Sequence, residues 1–114
     1  MALKLKDIIA GNTRRIDLTF TDSTGTGYDI TDADIAFTAV PSDSSTAVIE
    51  INNTDQAAQF TVLDADEGQI RVTLLPANTN QTAGSYNFGA QATLADGTVV
   101  EDTGSFKVKP QYVT

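Results

Sequence analysis

Neither histidine nor cysteine occurs anywhere in the 114 residues. That excludes thiol nucleophiles, Cys or His metal ligands, and every Ser-His-Asp or Cys-His mechanism. Carboxylates are the chemistry that remains. Asp64-Ala65-Asp66-Glu67-Gly68 has the density of a calcium loop. An EF-hand, however, needs glycine sixth and glutamate twelfth. Here glycine stands fifth and Leu75 twelfth, which is the pattern of a solvated turn. Asp29, Asp32 and Asp34 could gather oxygen ligands at a loop, but Asx-turn and cap hydrogen bonds to local backbone are the commoner use of such residues. Glycoside hydrolysis by paired carboxylates requires a cleft that raises one pKa, and every acid here lies near a turn. Thr24-Gly25-Thr26-Gly27 lacks the lysine of a phosphate-binding loop. The sequons Asn52-Asn53-Thr54 and Asn80-Gln81-Thr82 matter only in a eukaryotic secretory pathway. The expectation is a non-enzyme with no catalytic residue, no cofactor and no metal.

The elements that hold these residues alternate with period two. Ile16, Leu18 and Phe20 share one face of the run Thr13 to Thr21. Ile35, Phe37 and Ala39 alternate with Ala36, Thr38 and Val40 up to Pro41, and Ile70, Val72 and Leu74 with Arg71, Thr73 and Leu75 up to Pro76. Tyr86 to Leu94 and Ser105 to Lys109 repeat the pattern, and Ala47 to Ile51 and Gln59 to Leu63 are weaker β-rich stretches. These are half-buried strands. Seventeen threonines suit their solvent faces. Asp22 to Gly25, Asp64 to Gly68 and Asp96-Gly97 supply turns, and Pro41 to Thr46 reads as a loop. Ile30 to Asp34 and Pro76 to Thr82 have room for single helical turns. The predicted core is Ile16, Leu18, Phe20, Ile35, Phe37, Ile70, Val72, Leu74, Tyr86, Phe88, Leu94 and Phe106.

About seven short strands predict one all-β antiparallel sandwich over residues 1–114, with a small barrel as the competing architecture. Tyr86, opening its strand after Gly84, occupies the position of a tyrosine corner, and an ordinary core tyrosine would fit there equally well.

Seven basic residues against fifteen acidic ones give a net charge of −8. Such a field opposes binding to nucleic acid and to anionic membrane lipid. No segment reaches the roughly 20 apolar residues of a membrane helix, and the first eleven residues do not have the form of a secretory signal.

The order of signals is more specific than any one of them. Ile9-Ala10-Gly11-Asn12-Thr13 precedes the first long strand, and Tyr28-Asp29-Ile30-Thr31 the second. Gly68 to Leu74, Pro76-Ala77-Asn78-Thr79, Ala83-Gly84-Ser85-Tyr86, Asp96-Gly97-Thr98 and Gly104 to Val108 follow. Over nearly the whole chain this cadence resembles the small immunoglobulin-like domains of tailed-bacteriophage virion proteins, such as the N-terminal domain of baseplate upper proteins. Asn12, where that family usually has an acid, and Asp32, where it often has glycine, depart from it. The resemblance implies an immunoglobulin-like sandwich and a virion structural role: a baseplate, tail or head-surface (capsid decoration) subunit assembled in the host cytoplasm. Its partners would be other virion proteins, with a basic surface favoured by the charge, in an oligomer or larger assembly. The assembly-contact candidates are Leu3, Leu5, Ile8 and Ile9 at one terminus and Tyr112 and Val113 at the other, since apolar termini fray unless paired. The alternative for both ends is folding back onto their own sandwich. A cell-surface adhesion or carbohydrate-binding module is the competing function, and it would need an upstream signal or an aromatic platform.

Overall fold

The computed structural model describes residues 7–110 and the backbone of residues 3–4. The strands are β1 (Leu3–Lys4), β2 (Ile8–Ile9), β3 (Arg14–Thr19), β4 (Asp34–Pro41), β5 (Ile49–Asn52), β6 (Phe60–Asp64), β7 (Gln69–Leu74), β8 (Gly84–Thr93) and β9 (Val99–Lys109). A 3₁₀ turn, Ala57–Gln59, precedes β6, and a single α turn, Pro76–Thr79, follows β7. One sheet has the order β1-β9-β8-β4-β5, with β2 also on β9, and the other is β3-β7-β6. The alternating residues of both sheets bury Ile16, Leu18, Phe20, Ile35, Phe37, Ile70, Val72, Leu74, Tyr86, Phe88 and Phe106 in one core. Leu94 departs from expectation. It sits at the mouth of the β8–β9 turn, where its N–H is held by Thr98, and is only half-buried against the core.

This is the all-β sandwich expected, in an immunoglobulin-like arrangement. β3, β7 and β6 take the places of strands B, E and D, and β9, β8, β4 and β5 those of G, F, C and C′ of a variable-type domain. Seven strands match the expectation, and the two extra ones are the two-residue ladders β1 and β2. These run parallel to β9, pairing Leu3 with Gly104 and Ile8 with Val108.

That pairing corrects one expectation. Ile8 is 2% exposed inside the sandwich's own core, so it is not available as a docking residue. Ile9 is half-buried beside Lys109, whose carbonyl accepts the Ala10 N–H at 2.9 Å. The physical reason is the unfilled hydrogen-bonding edge of β9, which a short extended segment satisfies at little entropic cost. Leu3 is placed only by its backbone, and Leu5, Tyr112 and Val113 lie outside the described residues. Ile30 to Asp34 forms a hydrogen-bonded turn rather than a helical one, with Ala33 N–H on Ile30 O.

The tyrosine corner is present. The Tyr86 hydroxyl donates to the backbone carbonyl of Thr82, four residues upstream. Two residues further on, where antibody domains place the second cysteine of their inter-sheet disulfide, this chain has Phe88. Its ring stacks on Phe37 with centroids 5.3 Å apart, and Tyr86 stacks on Phe106 at 5.4 Å. The position of that cysteine is thus filled by an aromatic ring that stacks within its own sheet. Tyr86→Phe should remove the corner bond and cost about 1 kcal/mol, measured by denaturant unfolding. An unchanged midpoint would mean that the corner contributes only packing.

Candidate functional site

Four of the acids, Asp22, Asp29, Asp64 and Asp96, are spent on the chain's own turns. Asp22 Oδ1 accepts the Thr24 hydroxyl at 2.6 Å, the Thr24 N–H at 2.8 Å and the Thr26 N–H at 3.1 Å. Asp29 holds Thr31 in the same way, through its hydroxyl at 2.6 Å and its N–H at 2.9 Å. Asp96 accepts the Thr98 N–H at 2.9 Å, and Asp64 accepts the Glu67 N–H at 3.4 Å. These short polar side chains satisfy backbone donors that the turns leave unpaired. Asp32 contributes differently, by adopting a left-handed backbone with φ of 59°. Among the described residues no three acids gather in a metal-holding group.

Electrostatics follow from the same contacts. The hydroxyl and N–H of Thr24 hold the Asp22 carboxyl below the usual range, as those of Thr31 do for Asp29. The Thr98 N–H and then its hydroxyl do the same for Asp96. Asp17 on β3 is lowered by its two bonds from Arg71 on β7, at 2.7 and 3.1 Å, across an exposed face. Asp102 is raised, chiefly by burial. For the lowered acids, stability is present above the unfolded carboxylate value near 3.9 and is lost as pH falls through the lower folded values. Asp102 has the opposite sign: its burial penalty is relieved as it gains a proton above that value. The melting temperature should therefore change little from pH 7 to about pH 5 and fall below about pH 4. A melting temperature still flat at about pH 2.5 would contradict this assignment.

Two buried polar side chains, Gln59 and Thr79, were not anticipated from the sequence. Gln59 Nε2 donates to Thr73 O and to Asn78 Oδ1, both at 2.9 Å. The Thr79 hydroxyl donates to Asn12 O at 2.6 Å, tying the β7–β8 connection to the β2–β3 turn. Asn53 bridges Ile35 N–H and Ala33 O, closing the end of β4. They brace the loops, and nothing in one-dimensional periodicity marks a polar residue for such a position.

The surface features that remain are edges. β6 is one of the two outer strands of its sheet, and Val62 and Leu63 on it are 52% and 43% exposed. The pairing of β6 with β7 slips between Val62 and Asp64, so the strand bends at Leu63. Among the described residues every aromatic is buried or half-buried, which leaves no ring platform for stacking a sugar.

No protein-family model and no curated protein matches the sequence. Solved structures do match the fold. A candidate glycoside hydrolase from Bacteroides vulgatus aligns over 94% of this chain with a TM-score of 0.55 and 11% identity. This chain spans 17% of that protein's length. CopC from Methylosinus trichosporium aligns over 96% of this chain and 87% of its own, with a TM-score of 0.52 and 17% identity. The NK cell receptor NKp44 aligns over 97% of this chain and 99% of its own, with a TM-score of 0.47 and 16% identity. At these identities the likeness is one of fold, and none of the three is a bacteriophage protein. Strand order and the tyrosine corner define the class: an immunoglobulin-like β-sandwich.

Proposed function

We propose that the chain is a structural subunit of a bacteriophage virion, at the baseplate, tail or head surface, and that it acts by docking to other virion proteins. The reading is supported by the motif cadence over nearly the whole chain. The observation that carries it is the β6 flank. There an edge with no strand neighbour among the described residues presents every second backbone N–H and C=O outward beside Val62 and Leu63. Open edges of this kind are routes to strand addition. Asp64 and Asp66 stand next to the edge, which favours a partner carrying basic residues among its apolar ones. Asp22, Asp29, Asp64 and Asp96, in turn, hold their own loops.

Sedimentation of the chain with purified tail, baseplate and capsid components tests this reading. The expected result is a faster-moving complex with one component, lost in Val62→Lys at an unchanged melting temperature. If no component shifts the boundary, the virion reading fails.

A further inference from the structure

The loops at the two ends of the sandwich, whose longest extent is 44 Å, carry different charges. Three connections meet at one end: the β3–β4 loop (20–33), the β6–β7 turn (65–68) and the β8–β9 turn (94–98). Phe20 N–H bonds Gly68 O, Ile30 N–H bonds Ala65 O, and Asp29 and Asp32 share a shallow cleft with Asp96. Together the three connections carry Asp22, Asp29, Asp32, Asp66, Glu67 and Asp96, and no lysine or arginine. Four of the seven basic residues stand toward the opposite end. Arg14 opens β3 against Leu74, the last residue of β7, and Arg15 follows it. Lys107 and Lys109 close β9. The acids at that end are Asp43 and Asp7, the latter bound to Lys109 at 3.0 Å. Exposed apolar residues divide between the same two ends. Leu63 and Val99 flank the acidic turns, while Val48 and Leu75 lie at the basic end.

We propose that the two ends are complementary halves of one interface, so that a second copy of this chain docks head to tail, basic end on acidic end. The inference rests on the reading that the chain acts by docking, and its acidic end adjoins the β6 flank at Leu63 and Asp66. Both sides of the contact are on the same molecule, so the interface is heterologous and propagates into a ring or a filament. The net charge of −8 does not forbid it, because screening decides which charges are felt. At about 0.01 M salt the Debye length is roughly 30 Å, and two copies repel as whole acidic bodies. At about 0.15 M it is roughly 8 Å, and only the facing ends interact. At about 1 M it is roughly 3 Å, and the attraction between the ends is screened as well.

Self-association should therefore pass through a maximum in salt. Sedimentation velocity of the chain alone, across those three conditions, should show larger species at the middle one. Arg15→Glu with Lys107→Glu should weaken association about tenfold, and so should Asp66→Lys with Glu67→Lys. An equal mixture of the two double variants should restore association, since each retains one intact end. All four substituted side chains are exposed, Arg15 and Lys107 on strands and Asp66 and Glu67 in a turn, and thermal melts check that each variant folds. A single species of 12.1 kDa at every salt would overturn the head-to-tail contact. So would association that only rises with salt, the behaviour of apolar edge pairing. If that single species still binds a virion component, the head-to-tail contact fails while the virion reading stands.

Discussion

Phe88→Ala is expected to destabilise the sandwich by about 3 to 5 kcal/mol, the usual cost of truncating a buried phenylalanine. Phe88 is 3% exposed, its ring stacks on Phe37, and it lies 6.2 Å from the Phe106 ring. Phe37, Phe88 and Phe106 come from β4, β8 and β9, three strands of one sheet, so the cavity would open beneath its centre. With no cysteine in the chain, no disulfide limits the unfolded ensemble, and packing must supply what a cross-link supplies elsewhere. Domains of this size are stable by only about 5 to 15 kcal/mol. The loss should lower the melting temperature by on the order of 10 to 20 °C. Differential scanning calorimetry measures it, and a fall of less than about 4 °C (roughly 1 kcal/mol) would mean that the stack is not central to the core.

Gly68→Ala is the second large effect. Gly68 has φ of +71°, and a Cβ built there would lie 2.6 Å from Phe20 O and 2.8 Å from Tyr28 O, both backbone atoms. Left-handed backbone costs an L-residue about 1 to 2 kcal/mol, and forcing atoms into a filled site costs about 1 to 3 kcal/mol more. The β6–β7 turn would have to withdraw from the β3–β4 loop, breaking the 2.9 Å bond from Phe20 N–H to Gly68 O. Gly25 is the control. Its φ is +87°, but nothing lies within 4 Å of the added Cβ. Gly25→Ala should therefore show only the backbone cost, about 1 to 2 kcal/mol. Equal midpoints for the two variants in urea would refute the close-approach argument.

Much of the sandwich is legible in the sequence because its strands are half-buried. Ile16-Asp17-Leu18 and Ile70-Arg71-Val72 announce two faces directly, and the structure pairs them in register across β3 and β7. The first half of β9 is silent for the opposite reason. From Val99 to Thr103 every side chain is exposed or half-buried, so no apolar period forms, and the strand is visible only through its ladder with β8. Ile8 escaped as a core residue because a two-residue ladder is too short to show a period. Asp22, Asp29 and Asp96 were legible as turn acids, since Asx chemistry is local. Their meeting at one end, with the cations at the other, depends on topology, which brings positions 29 and 96 to one cleft.

The role proposed for this sandwich is that of a docking subunit built into a virion. The most direct measurement is quantitative mass spectrometry of purified phage particles encoded alongside this gene, after high-salt washing. A docking subunit should be found at a fixed copy number per particle, co-purifying with one tail, baseplate or capsid component. Its absence from washed particles, with the chain abundant in the infected cell, would contradict the account.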